Sequence, residues 1–228
     1  AQGVCAHGHA HGERPHDHYA RYWMHNGFLT LDAEKMSKSL GNVLLLHDLV
    51  QAIPGEVVRW ALLSAHYRQP LDWTQNLLDQ SRKSLDRLYG ALARSADVAV
   101  SISEPPAEFL KAIEDDLNTP GAMAVLFALS GEIERGLTAG DATAVAQARG
   151  QLIAAADVLG VLQSDPADWL KGDASDDLAA EVEALIEQRA TARAAKDWPE
   201  ADRIRDRLTA LNVEIMDGAE GARWRLRS

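Results

Sequence analysis

The sequence predicts a mainly α-helical protein with a small α/β module at its end, on the strength of three patterns. Between residues 75 and 159, apolar residues recur every three or four positions, the spacing of a helix with one buried face. Short connections join these segments, which is typical of antiparallel helices in a bundle. After Asp197 a single helix is followed by two short apolar runs around the loop 217–221, a pattern that predicts a hairpin of strands.

The apolar positions and their flanking residues also place the elements in order. Helices are expected over residues 56–66, 75–92, 109–117, 120–133, 145–159, 178–196 and 198–211. Short strands are expected on either side of the turn Asn26-Gly27, and a second turn is expected at Asp32-Ala33-Glu34. Residues 169–177 are expected to be a linker. Local caps support three of the ends, with Thr119 before Pro120, Asp197 before the last helix and Asn212 after it.

The charge of the chain is unevenly distributed. Its 23 Lys and Arg against 34 Asp and Glu give a net charge of −11, which argues against indiscriminate binding to nucleic acid. Residues 189–228 nevertheless hold nine basic and seven acidic side chains, a balance of +2. This basic end suits local contact with phosphates, and it equally suits a solvated helix face with ion pairs.

Composition excludes two other classes of protein. No run of 18 apolar residues is present, so the sequence predicts no membrane span. A single cysteine, Cys5, excludes an internal disulfide framework and favours the reducing cytoplasm.

A histidine cluster near the start of the chain is a possible metal ligand set. Its members are His7, His9, His11, His16 and His18. Their spacing fits no closed structural zinc pattern, so adventitious metal affinity of a loop is favoured over a specific metal site.

The most specific motif is Lys35-Met36-Ser37-Lys38-Ser39, followed by Leu40-Gly41-Asn42. Two lysines three positions apart can offset the negative charge that develops on a leaving pyrophosphate. Serine hydroxyls and loop amides can donate hydrogen bonds to phosphate oxygens. A solvated surface loop is the ordinary alternative for such a cluster, but a chance match of five consecutive residues is rare.

With this motif the sequence resembles the class I aminoacyl-tRNA synthetases, whose second signature is KMSKS, and within them the bacterial cysteinyl-tRNA synthetases. Further matching blocks lie at 22–25, 64–68, 115–120 and 196–198, and at Asp217-Gly218 followed by Trp224. The first family signature, HIGH, and the family's zinc ligands are absent, and Cys5 is not assigned as a ligand. The resemblance therefore implies a C-terminal half that begins near the end of the nucleotide-binding domain.

The resemblance implies a division into four segments. Residues 1–34 would end the catalytic nucleotide-binding domain, 35–74 would form the KMSKS loop and stem-contact region, 75–172 the helical bundle and 173–228 the anticodon-binding module. The implied activity is ATP-dependent formation of cysteinyl-adenylate and transfer of cysteine to its tRNA. The expected cofactors are ATP with magnesium, and zinc, whose ligands would lie in the N-terminal half of the enzyme. The resemblance also implies that the enzyme is a monomer.

Site residues follow from the same resemblance. Lys35 and Lys38 are expected to be catalytic, and Lys35, Met36, Ser37, Lys38 and Ser39 to contact ATP, with Lys38 as the main ATP ligand. The resemblance implies contacts with tRNA at Arg193, Asp202 and Asp217 of the C-terminal module. Trp198, Arg223 and Trp224 are expected to join them because they lie in the same basic module. A partly exposed Trp could stack an unpaired base, and carboxylates could accept hydrogen bonds from base amino groups. Capping and ion pairing are the alternative roles of the acidic residues.

Two rival functions stay open at this stage. The cysteine ligase of mycothiol synthesis also resembles the family, but it lacks the C-terminal module, so residues 174–228 argue against it. A tRNA-binding module without catalysis is the other rival.

Overall fold

The computed structural model describes residues 22–36, 43–172, 176–218 and 221–226. These residues form β1 (Leu29–Leu31), β2 (Glu34–Lys35), α1 (Leu46–Ala52), α2 (Gly55–Leu63), β3 (Leu71–Trp73), α3 (Gln75–Arg94), α4 (Ala107–Glu114), α5 (Thr119–Ala139), α6 (Ala142–Leu159), α7 (Pro166–Lys171), α8 (Asp176–Ala194), α9 (Trp198–Ala210), β4 (Val213–Gly218) and β5 (Gly221–Leu226). The expected mainly helical fold with a small α/β end is confirmed. No helix of the described residues is long and apolar enough to cross a membrane.

The large apolar core joins α2, α3, α5 and α6. Leu85 and Leu88 of α3, Ile133 of α5 and Leu152 of α6 are fully buried, as their helical spacing predicts. Helix α6 ends at Gly160, whose φ of 65° is the left-handed conformation that glycine adopts without a Cβ penalty. Helix α5 starts one residue earlier than expected, because the Asn118 side chain, not that of Thr119, accepts the bond from the Gly121 amide.

A three-stranded sheet precedes the bundle. Strand β1 pairs with β2 in antiparallel fashion and with β3 in parallel fashion, giving the order β2-β1-β3. The tight turn lies at Asp32-Ala33, where both residues have positive φ, as predicted for the second turn, whereas no strand of the described residues precedes Asn26-Gly27. Gly27 instead allows a close approach, since a Cβ there would lie 2.1 Å from the carbonyl oxygen of Gln69.

The expected linker at 169–177 begins too early. Trp169 and Leu170 belong to the short helix α7 and are 8% and 6% exposed. Asp165 caps this helix by accepting bonds from the Ala167 and Asp168 amides. Helix α7 contacts both α3 and β5, so it lies between the bundle and the C-terminal elements.

The C-terminal elements have an apolar core of their own. Val182 and Leu185 of α8 pack with Ile204 and Leu208 of α9 and with Trp224 of β5. The Asp197 cap and the left-handed Asn212 are found where the sequence predicts them. Strands β4 and β5 are longer than expected, however, so Asp217 pairs with Ala222 within the ladder and does not lie in the loop.

Candidate functional site

The lysine motif begins at the end of the β1–β2 hairpin, and Asp72 of β3 holds this hairpin by hydrogen bonds. The Thr30 hydroxyl donates to Oδ1 of Asp72 at 2.6 Å, and the Ala33 amide donates to the same oxygen at 2.8 Å. The Asp32 amide also donates to the Trp73 carbonyl at 3.3 Å. Strand β3 therefore fixes the turn that precedes β2.

These hydrogen bonds stabilise the charged form of Asp72. The bond from Thr30, followed by that from the Ala33 amide, lowers the pKa of the Asp72 carboxyl below its usual value of 3.8. The carboxylate is therefore ionised near neutral pH, when it holds the turn most tightly.

Only the first part of the motif lies within the described residues. Lys35 ends β2 opposite Thr30 and is exposed, and Met36 follows it half-buried. Ser37, Lys38 and Ser39 lie outside the described residues, and their roles stay predictions.

A polar cluster joins the sheet end to the bundle, and we call His66, Tyr67, Arg68 and Asp116 the corner cluster. Tyr67 donates its hydroxyl to Oδ1 of Asp116 at 2.6 Å, and Nε of Arg68 lies 2.7 Å from Oδ2. His66 stacks on Tyr67 with ring centroids 4.9 Å apart, and its Nε2 lies 3.0 Å from the Asp116 carbonyl oxygen. One carboxylate thus holds two side chains that lie 48 and 49 residues away in sequence.

The corner cluster also sets the charge state of Asp116. Hydrogen bonds from Arg68 and then from Tyr67 lower the pKa of the Asp116 carboxyl from 3.8 to about 2. The pKa of Asp116 is lower in the folded chain than in the unfolded chain. The carboxylate therefore stabilises the fold fully at pH values above its unfolded pKa, and this contribution is lost as the pH falls through about 2.

We therefore expect Asp116→Asn to lower the melting temperature at neutral pH. The difference in melting temperature between this variant and the unmodified chain should become smaller as the pH falls from about 4 to about 2. Thermal melts of both chains over this range measure the effect. Asp141→Asn, at the exposed cap of α6, is the matched control. A gap that stays constant down to pH 2 would contradict the assignment.

A half-buried cluster of hydrogen bonds around Glu56 connects α2, α3 and the segment after α6. The Glu56 carboxylate accepts bonds from the Tyr89 hydroxyl and from the Leu162 and Gln163 amides, all at 2.9 Å. The Tyr89 side chain is fully buried, and burial raises the pKa of its phenol to about 12. Its ring stacks on Trp169 with centroids 4.5 Å apart.

Three of the residues expected to contact tRNA lie exposed around the corner between α8 and α9. Arg193 lies in the last turn of α8, and Trp198 opens α9 with 58% of its surface exposed. Asp202 follows one turn later and pairs with Arg205 at 3.2 Å. Since Trp198 and Asp202 are four residues apart on a helix, they share one side of α9.

The β-strand residues of this set differ. Trp224 is 5% exposed and packs in the C-terminal core opposite Ile215, so the partial exposure expected for base stacking is absent. This burial corrects the interpretation of Trp224 as a stacking platform, because a side chain that is 5% exposed offers too little ring surface to an incoming base. Asp217 and Arg223 are placed only by register, opposite Ala222 and Met216.

The residues predicted as possible metal ligands lie at the start of the chain. Within the described ranges, no three His, Cys, Asp or Glu side chains converge into a set that could hold a metal ion. The histidine cluster 7–18 and Cys5 lie outside those ranges.

Comparison with known proteins finds three family models along the chain. They describe a catalytic domain of class I (C) tRNA synthetases at residues 6–83, a DALR domain at 108–163 and a cysteinyl-tRNA ligase anticodon binding domain at 175–225. The cysteine–tRNA ligase of Caulobacter vibrioides (strain NA1000 / CB15N) is 59% identical over 209 residues, covering 91% of this chain and 45% of the relative. The chain belongs to the cysteinyl-tRNA synthetase family.

Other members extend the match. The cysteine–tRNA ligase of Caulobacter sp. (strain K31) is 54% identical over 227 residues, which is 100% of this chain and 48% of that relative. The chain thus spans about half the length of the curated relatives it matches and corresponds to their C-terminal part. Among solved structures, an Agrobacterium radiobacter K84 LeuRS in complex with tRNA and LeuAMS shares 16% identity, with a TM-score of 0.49 over 84% of this chain and 31% of that one.

Three residues that organise this cysteinyl-tRNA synthetase segment were not predicted as site residues. Asp72 and Asp116 are acidic residues without a diagnostic spacing, and Trp169 lies in a helix of only six residues. The blocks 64–68 and 115–120 support the family resemblance, but nothing in their local sequence indicates that they contact each other. Only the fold brings them together.

Proposed function

We propose that this chain is the C-terminal part of a cytoplasmic cysteine–tRNA ligase. In this function, cysteine and ATP form cysteinyl-adenylate with release of pyrophosphate, and the cysteinyl group then passes to the 3′ end of cysteine tRNA. The observation that carries the proposal is the order of the three matches, with the lysine motif placed at the end of the hairpin clamped by Asp72.

The lysine motif, Lys35 to Ser39, would act on ATP. Lys38 and Lys35 would offset charge on the leaving pyrophosphate, while Met36, Ser37 and Ser39 would line the phosphates. The fixed turn at Asp32-Ala33 supports this role, because a preorganised charge is more effective than one that must be ordered during the reaction. Magnesium and zinc have no candidate ligand set in the described part of the chain, so no step is assigned to them.

The C-terminal module would dock the tRNA. Arg193 and Arg223 are suited to phosphate contact, Trp198 to stacking on an unpaired base, and Asp202 and Asp217 to accepting hydrogen bonds from base edges. The exposure of Arg193, Trp198 and Asp202 at one corner supports a shared surface. Residues 173–228 would then form the anticodon-binding unit and 75–172 the bundle.

Exposed apolar residues near the start of the described part of the chain support the presence of a protein partner there. Tyr22, Trp23, Met24 and Phe28 are exposed, as are Leu45 and Leu46. Large exposed apolar side chains are typical of surfaces that another polypeptide covers. The match to only the last part of the relatives suggests their N-terminal, nucleotide-binding part as the occupant.

One observation weighs against the mycothiol-pathway alternative. The match at 175–225 is to a cysteinyl-tRNA ligase anticodon binding domain, a part for which a ligase that does not use tRNA has no need. A tRNA-binding module without catalysis is the remaining alternative, and it is separated from the main proposal by experiment.

The test uses a chimera in which this chain replaces the matching C-terminal part of the Caulobacter vibrioides relative. We expect the chimera to catalyse cysteine-dependent exchange of pyrophosphate into ATP and to charge cysteine tRNA. The 228-residue chain by itself is expected to bind the tRNA, as measured by filter binding, but to show background exchange.

The outcomes separate the hypotheses. A chimera that folds and binds cysteine tRNA without activating cysteine would favour the non-catalytic module. A chain that binds no tRNA, together with an inactive folded chimera, would overturn the proposal. Robust pyrophosphate exchange by the isolated chain would contradict the proposal that adenylation requires both this chain and an N-terminal part.

A further inference from the structure

The segment 66–72 runs between the helical bundle and the hairpin that carries the lysine motif. It starts after α2 with the three side chains of the corner cluster and ends in β3 at Asp72. Only the three residues 69–71 separate the corner-cluster side chains from Asp72, so a displacement at one end is transmitted directly to the other.

The bundle end is fixed by Asp116. Besides the bonds to Tyr67 and Arg68, the Arg68 Nη2 lies 3.1 Å from Oδ1 of Asp116, so the guanidinium contacts both carboxylate oxygens. Arg68 also covers the Tyr67 ring at 4.9 Å from its centroid. Two-oxygen contact by a planar guanidinium fixes direction as well as distance.

The hairpin end is fixed by backbone contacts and by Asp72. The Gly27 amide donates to the Tyr67 carbonyl at 2.7 Å, and the Leu71 amide donates to the Phe28 carbonyl at 3.1 Å. Asp72 then holds the turn at Ala33, two residues before Lys35. Tyr67 therefore contacts Asp116 with its side chain and, with its carbonyl, the segment at Gly27 that leads into β1.

The backbone at Asp116 is strained. Asp116 and Leu117 are consecutive non-glycine residues with φ of 53° and 55°, in the left-handed region that side chains disfavour. Such conformations persist where surrounding contacts over-determine them. Here the contacts are the corner cluster and, just beyond, the Thr119 hydroxyl, which donates to the Leu63 carbonyl at 2.8 Å.

We propose that Asp116 is a positioning residue for the hairpin that ends at Lys35, acting through the segment 66–72. The bundle corner between α4 and α5 thereby sets the position of this hairpin, from which Lys35 would reach ATP. This inference rests on the proposed function for its catalytic consequence, but the mechanical link is a property of the chain alone.

The first experiment needs no activity and uses the 228-residue chain. Amide hydrogen exchange is followed by NMR in the unmodified chain and in Asp116→Ala, Asp116→Asn and Asp141→Ala. Asp141 is the matched control, because it caps α6 at the other corner of the bundle and accepts a bond from the Ala144 amide. We expect Asp116→Ala to speed exchange at the Gly27 and Ala33 amides by about tenfold, the scale of losing a charge-assisted contact that closes a local structure.

Asp116→Asn tests the charge with little change in the backbone, since asparagine tolerates the left-handed conformation. It is expected to give a smaller increase at the same two amides. Amides of α9 should be unaffected in all variants, and Asp141→Ala should leave Gly27 and Ala33 unchanged. Equal exchange at Gly27 and Ala33 in the Asp116 variants and the unmodified chain would overturn the mechanical link.

The second experiment measures pyrophosphate exchange in the chimera. Asp116→Ala is expected to raise the KM for ATP by about threefold to tenfold, with the KM for cysteine unchanged, whereas Asp141→Ala changes neither. A fall in activity with equal effects on both substrates would indicate general destabilisation and refute the positioning role. If the unmodified chimera is inactive while Asp116→Ala still speeds exchange at Gly27 and Ala33, the proposed function fails and the link stands.

Discussion

Replacing Lys38 with alanine in the chimera is expected to slow cysteine-dependent pyrophosphate exchange by at least about a hundredfold, the scale of losing one preorganised charge at a developing anion. The loss should fall mainly on kcat, because the lysine would be needed most when negative charge accumulates on the leaving pyrophosphate. Steady-state exchange kinetics with varied ATP and cysteine measure both parameters.

Two companion variants make the Lys38 result specific. Lys83→Ala removes an exposed lysine on α3, far in sequence from the motif, and should leave exchange unchanged. Lys38→Arg keeps the charge but replaces a compact ammonium with a planar guanidinium, so a partial loss is expected. An exchange rate for Lys38→Ala equal to that of the unmodified chimera would remove Lys38 from the reaction.

Much of the helical fold could be predicted because its signals are local. The periodicity of Leu85, Leu88 and Leu152 identifies buried faces, and all three side chains are buried. Helix ends such as Gly160 and Asp197 depend on conformation and hydrogen bonds within a few residues. The lysine motif is also a local signal, because five consecutive residues define it.

The relations between distant residues could not be predicted in the same way. Asp116 contacts Tyr67 across 49 residues, and Trp169 contacts Asp86 across 83. A helix of six residues such as α7 is too short to show a hydrophobic period, so its apolar residues look like part of a linker.

The two tryptophans of the C-terminal module show the same limit at the candidate site. Both lie near arginines in sequence, and this shared context led to the same prediction for each. Trp198 is exposed at the start of a helix, whereas Trp224 is buried in a strand against α8 and α9. Which of them is available to a base depends on packing that the local sequence does not contain.

Replacing Trp169 with alanine is expected to lower the free energy of unfolding by about 3–5 kcal/mol, the range for removing a large aromatic side chain from a core. The indole is 8% exposed, stacks on Tyr89, lies under the Arg82 guanidinium at 4.7 Å and donates from Nε1 to Asp86 at 2.8 Å. Its loss would leave a cavity beside the buried Tyr89 and remove one of the two hydrogen bonds that Oδ1 of Asp86 accepts, the other coming from Arg82. Urea unfolding of the 228-residue chain, followed by circular dichroism, measures the change.

Trp198→Ala is the matched control for Trp169→Ala, because it makes the same chemical change at an exposed position. It should alter stability by no more than about 0.5 kcal/mol, as surface substitutions do, while weakening the binding of cysteine tRNA. Trp169→Phe retains a ring against Tyr89 but loses the bond to Asp86, and an intermediate loss of about 1–3 kcal/mol is expected. Equal losses of stability for Trp169→Ala and Trp198→Ala would show that α7 is a peripheral linker and does not form part of the bundle core.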